Sequence, residues 1–252
     1  MRVRFIDRAI VGLLAGAIAV TLVPAGSVVA AGAATCVVTN TRTGATDGTL
    51  AAAVAAAKGG DELTVRGTCR GTTSIGKDLT IRGIRPAGAG APTLDGKNLR
   101  EVVGIEKGAK VTLKRLLVTR GVGISFVFAT VGGGIVNSGT LVLRGVRVAL
   151  NNASVGGGIF NGGRLTLGKG TIVTDNHAWV QGGGVANSDG ATVIIRSTGR
   201  ISSNQADERA GGLFNPTGAL LDGVRCPGPF VFNANVTGNA APVDEDCGSE
   251  AV

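Results

Sequence analysis

One unit recurs along this chain, and it constrains the fold more than any other feature. A glycine cluster leads through two further residues to an asparagine: Gly132-Gly133-Gly134-Ile135-Val136-Asn137, Gly156-Gly157-Gly158-Ile159-Phe160-Asn161, Gly182-Gly183-Gly184-Val185-Ala186-Asn187 and Gly211-Gly212-Leu213-Phe214-Asn215. These asparagines lie 24, 26 and 28 residues apart. A short alternating segment follows each of the first three clusters: Leu141-Val142-Leu143, Leu165-Thr166-Leu167 and Val193-Ile194-Ile195. Next comes an apolar β-branched residue, two variable residues, Asn, one variable residue and Ala. It appears as Val148 to Asn151 and Ala153, Val173 to Asn176 and Ala178, Ile201 to Asn204 and Ala206, and Val236 to Asn239 and Ala241.

A unit of about 25 residues with three short strands and Gly/Asn corners is one coil of an all-β solenoid. One coil cannot bury its inward face; stacked coils pair strand over strand and share a core. The period-2 alternation supplies the inward apolar column. Gly and Asn are expected at the corners because both tolerate positive φ. Stacked Asn side chains can also bond from coil to coil and satisfy corner backbone. Both columns (Asn137, Asn161, Asn187, Asn215 and Asn151, Asn176, Asn204, Asn239) are therefore read as structural. Looser copies upstream, at Leu63-Thr64-Val65, Leu79-Thr80-Ile81 and Val111-Thr112-Leu113, place about seven coils in residues 62–241.

An open solenoid end is a sticky edge. Residues 34–61 hold a candidate cap: Asp47-Gly48-Thr49 precedes the Ala-rich helix Leu50 to Lys58, with an acidic start and a basic last turn, and Gly59-Gly60 stops it. At the far end, Pro227, Pro229 and a Cys226–Cys247 loop read as a second cap, and 242–252 as a tail.

Residues 1–33 read as a secretory signal. Arg2, Arg4 and Arg8 form a basic start, Ala9 to Val23 an apolar run, and Ala31-Gly32-Ala33 a cleavage site. The apolar run is short for a membrane anchor, and no later segment is long enough to span a bilayer. Export makes disulfides the expected state of Cys36, Cys69, Cys226 and Cys247. Three connectivities are possible; Cys36–Cys69 and Cys226–Cys247 are favoured because each pair sits near one chain end. The formal net charge is +8, and the chain stays basic without its leader. Anionic polysaccharide or cell-wall polymer is the expected partner class. Nucleic acid is not, because no basic-aromatic module is present.

With these residues in hand, the chain resembles the right-handed parallel β-helix proteins of the pectin-lyase-like superfamily. Its Gly-Gly-Gly-Ile-x-Asn and Asn-x-Ala units are similar to the repeats of polymorphic outer membrane proteins and related bacterial adhesins. The segment Asp47-Gly48-Thr49-Leu50-Ala51-Ala52-Ala53 resembles the capping helix of exported β-helix proteins. The resemblance implies a right-handed solenoid. It implies little about function, because the fold hosts lyases, hydrolases, epimerases, adhesins and structural proteins. No terminal run of strands forms an outer-membrane barrel, so autotransport is not expected.

Chemistry-bearing residues are sparse. Asp244-Glu245-Asp246 is the one dense acidic run and reads as a solvated tail. No metal or cofactor is expected. The single histidine, His177, falls at a variable repeat position and reads as exposed and inert. Trp179 is assigned to packing on the rod in preference to sugar binding. Asp95 and Asp222 each precede Gly and read as turn residues. One constellation stands out. A basic residue follows several apolar-x-apolar triplets: Arg82, Lys114, Arg144 and Arg196, with Gly168-Lys169 in the coil between. Alternation places them outward on one sheet, where in-register stacking makes a basic ladder suited to a linear polyanion. The leading expectation is an exported, non-catalytic, adhesin-like binding protein. A polysaccharide lyase or related carbohydrate-active enzyme and a structural envelope protein are the rivals.

Overall fold

The computed structural model describes residues 35–126, 129–196 and 198–216, and beyond them the strands Leu220–Leu221, Val224–Arg225 and Val236–Thr237. The leader, the Cys226–Cys247 pair, Asn239, Asp222, the acidic run and the tail lie outside the described residues. The chain forms a right-handed parallel β-solenoid with four walls, one more than the three strands per coil expected, because the Asn-x-Ala segment forms a strand of its own. One coil illustrates the path: Thr140–Arg144 lies in the first wall, Arg147–Ala149 in the second, Asn152–Val155 in the third and Ile159–Asn161 in the fourth.

Strands stack in register, with one shift in the third wall between Ala153 and Val155. The first wall aligns Leu63, Ile81, Leu113, Leu143, Leu167 and Ile195 in one inward column. The second wall aligns Cys69, Leu94, Val118, Val148, Val173 and Ile201. The fourth wall aligns Val103, Ile135, Ile159, Val185 and Leu213. All of these side chains are buried. Each buried aliphatic contributes roughly 1.5–3 kcal/mol, so the columns carry most of the stability. The third wall is lined by Ala153, Ala178 and Ala206, which bring it close to the axis.

The solenoid makes about five turns, not the expected seven. Five rungs of the first wall lie between the one joined to the cap and the two-residue rung Leu220–Leu221. The end rungs belong to incomplete coils, and the upstream coils carry insertions. One insertion is the antiparallel hairpin Ile124–Phe126 with Ala129–Val131.

The N-terminal end is closed. Strand β1 (Val37–Asn40) pairs antiparallel with both β2 (Thr46–Asp47) and β3 (Glu62–Arg66), the first rung. Helix α1 (Leu50–Ala56) covers the open coil with Leu50, Ala53 and Val54 buried. It is shorter than the sequence predicts, and neither its first turn is acidic nor its last turn basic. Asp47 is used in β2, and Ala57 turns extended before Lys58 is reached. Thr49 caps the start, accepting from the Ala52 amide at 3.2 Å. The end is capped from outside: Lys77 Nζ donates to the carbonyls of Ala57 at 2.9 Å and Val54 at 3.1 Å. The Cys36–Cys69 disulfide, expected from sequence, ties the cap to the second wall. No helix among the described residues is long and apolar enough to cross a membrane.

Candidate functional site: a basic wall and corner cleft

The asparagine columns are ladders. Asn137 donates to Asn161, Asn161 to Asn187 and Asn187 to Asn215, at 2.6, 2.6 and 2.7 Å. In the other column Asn151 donates to Asn176 and Asn176 to Asn204, at 3.0 and 2.9 Å. One expectation about them needs correction. The positive-φ residue of the second column is the one before each Asn: Leu150, Asp175 and Ser203. Asn is needed there for its amide, which links coils, and not for a left-handed backbone. Gly132, Gly156 and Gly182 do carry positive φ. The glycines after them are required for space: a Cβ on Gly157 falls on the His177 carbonyl oxygen.

The four basic residues lie in one outward column of the first wall. Arg82 pairs in register with Lys114, and Lys114 with Arg144. The next position is Gly168, whose amide donates to the Leu143 carbonyl at 2.8 Å. Arg196 follows one rung later, donating its amide to Leu167 O at 2.9 Å. The ladder is thus three contiguous cations, a gap and a fourth. Lys169 does not fill the gap, because it sits in the turn beyond Gly168, where its carbonyl accepts from the Gly145 amide at 2.9 Å. Arg82 is engaged by Glu62 at 2.5 Å. Among the described residues no carboxylate lies within ion-pair distance of Lys114 or Arg144. A neighbouring outward column adds Lys110 and Arg164, on either side of Thr140.

The corner between the first and second walls extends this basic surface. There Arg85, Arg115 and Arg147 frame an open cleft of about 480 Å³ whose floor includes Ile84, Pro92, Leu116 and Leu117. The cleft exists because one corner is long. Nine residues join Gly83 to Thr93, whereas two join Lys114 to Leu117 and two join Arg144 to Arg147. Arg85 is steadied by donating Nε to Ala89 O at 2.8 Å. Arg147 pairs with Asp175 at 2.8 Å. No carboxylate among the described residues pairs with Arg115. Sequence reasoning missed these three arginines because it took the one basic residue after each apolar-x-apolar triplet and did not follow the chain round the corner. The signal was present: Arg82-Gly83-Ile84-Arg85 and Arg144-Gly145-Val146-Arg147 repeat a basic residue at both ends of the corner.

The other singled-out residues fall elsewhere. Asp95 is buried and ends the strand Thr93–Asp95. Its carboxylate accepts from the Lys97 amide at 3.0 Å, the turn role expected, and also from Arg120. Burial pushes its pKa up, but the Arg120 and Lys97 bonds outweigh this and leave it lowered. Asp95 thus ties the corner and stays ionised. His177 is half-buried, not exposed: it opens a third-wall strand and its Nε2 lies 2.8 Å from Asp207 Oδ1. Trp179 is not packed away; it is 46% exposed on that same strand.

Comparison of the chain with protein-family models, with curated proteins and with solved structures finds no match to any of them.

Proposed function

We propose that this chain is an exported, non-catalytic β-helix protein that binds a linear anionic polysaccharide or cell-wall polymer on its basic wall. Export rests on the basic and apolar leader, and the adhesin-like, pectin-lyase-like affinity on the repeat pattern quoted above. One observation carries the binding reading: Lys114, Arg115 and Arg144 cluster on adjacent rungs, unpaired with any described carboxylate, beside a cleft framed by two more arginines.

Rungs recur about every 4.8 Å along the solenoid. Lys114 and Arg144 therefore offer unpaired positive charge at that interval, and Arg82, held by Glu62, continues the column one rung further. A polyuronide with a carboxylate on every sugar ring suits such a ladder better than a polymer charged on alternate rings. The apolar cleft floor gives ring faces a surface to lie on while guanidinium forks take carboxylates. The carboxylates attached to the site, Glu62 and Asp175, are each held by an arginine. That arrangement favours binding over acid–base work.

The test is retention on immobilised polygalacturonate, read as the salt needed for elution. The Lys114→Ser, Arg144→Ser double variant should elute at clearly lower salt than the parent, with an unchanged circular dichroism spectrum. Equal elution of parent and variant overturns the reading. Release of unsaturated uronide, followed by ultraviolet absorbance with calcium present, replaces it with lyase activity.

A further inference from the structure

The third wall carries a second cluster that shares no residue with the basic wall. In chain order the second and fourth walls separate the two. Trp179 is the single tryptophan of the chain, and its indole is 46% exposed in the strand His177–Gln181. That strand holds one residue more than its partner Asn152–Val155, and the register shifts between Ala153 and Val155. Such a bulge re-aims the side chains beside it.

The indole is held from one side and left open to water. His177 meets it in a T-shaped contact, with ring centroids 6.4 Å apart and planes at 84°. His177 is itself fixed, Nε2 lying 2.8 Å from Asp207 Oδ1 and Nδ1 3.4 Å from Asn152 Oδ1. Its register partners on the adjacent rungs are Asn152 and Gln205. One exposed aromatic thus stands against an imidazole that is itself flanked by two carboxamides and a carboxylate. Carboxamides and carboxylates offer paired donors and acceptors that match neighbouring sugar hydroxyls. An indole supplies a rigid apolar platform for the flat C–H face of a pyranose. The Asp207 carboxylate is 45% exposed and repels an anionic ligand.

We propose that this face binds a neutral sugar chain, with Trp179 as the stacking platform and Asn152, Gln205 and Asp207 as hydroxyl partners. The inference does not rest on the polyanion reading. A protein holding a neutral glycan on one wall and an acidic one on another links two polymers.

Because Trp179 is the only tryptophan, intrinsic fluorescence reports on this site alone. Hexamers of β-1,4-linked glucose, N-acetylglucosamine and mannose should be titrated into the parent protein, with hexagalacturonate as the anionic comparison. A saturable emission change is expected with at least one neutral hexamer and none with hexagalacturonate. By calorimetry, Trp179→Ala should bind that hexamer at least about fivefold more weakly. Asp207→Asn and Asn152→Ala should each weaken it about threefold, and the Lys114→Ser, Arg144→Ser variant should bind it normally. The proposal is overturned if no neutral hexamer changes the emission, if only hexagalacturonate does, or if Trp179→Ala binds as tightly as the parent.

Discussion

Asn161 donates its side-chain amide to Asn187 at 2.6 Å while its own oxygen accepts from Asn137 at 2.6 Å. It is a middle rung, buried, with partners above and below. Asn161→Ala strands a donor on Asn137 and an acceptor on Asn187, each out of reach of water. The expected loss is about 2–4 kcal/mol in denaturant unfolding. Gln205→Ala, at an exposed position one wall away, should stay within about 0.5 kcal/mol of the parent. Equal effects would sink the ladder's energetic role.

Glycines that look alike in sequence should differ sharply on substitution. A Cβ on Gly157 strikes the backbone of the neighbouring coil, whereas on Gly162 it meets only ordinary contacts, the nearest at 3.6 Å. Gly157→Ala is expected to cost about 3 kcal/mol or more. Gly162→Ala should be neutral or stabilise by up to about 1 kcal/mol, because it reduces the freedom of the unfolded chain. Thermal midpoints of the two variants check this.

Arg115 holds φ at 53°, and the equivalent corner of the next coil is Gly145 at 61°. A side chain in that conformation is strained by roughly 1 kcal/mol. Arg115→Gly should therefore raise stability slightly while lowering the salt at which the protein leaves polygalacturonate. A variant more stable yet worse at binding is the signature of a residue kept for its charge. Unchanged elution would place Arg115 outside the binding surface.

Acid sensitivity has a specific source. Asp61 is held by Arg42 at 2.6 Å, by the Asn40 amide at 2.7 Å and by the Lys58 backbone amide at 2.9 Å. The Arg42 bonds, followed by those from Asn40 and Lys58, push its pKa well below the usual carboxylate range. The unfolded carboxylate takes up its proton near pH 4. Stability from this group is thus complete above that pH, declines as pH falls below it, and is gone once the folded carboxylate protonates. Asp61→Asn should flatten the acid limb of a stability–pH curve measured between pH 2 and 5. An unchanged limb would assign the acid loss to other carboxylates.

The inward columns and ladder positions were legible because each depends on local alternation repeated at a fixed interval, whereas the additional wall, the third, was not. Leu141, Leu143, Leu165 and Leu167 need only period 2 to be placed in a core. Other features depend on what neighbouring coils do. The cleft arises from the long Gly83–Thr93 corner meeting two short ones. The Trp179 cluster assembles from three rungs and a bulge that alternation does not foresee. The early end of the helix was not legible either, because its C-terminal carbonyls are capped by Lys77, about 20 residues further along the chain.

The reversed strand β1 has a consequence for assembly. A stack of parallel rungs is a template that another copy of the same chain can extend, as in a growing fibre. Placing one strand antiparallel across β3 gives that stack an end-group, and Cys36–Cys69 fastens it down. The bond forms only where thiols are oxidised. A chain kept in a reducing compartment retains β1 without its fastening, so the tendency to polymerise from this end is set by redox environment as much as by sequence.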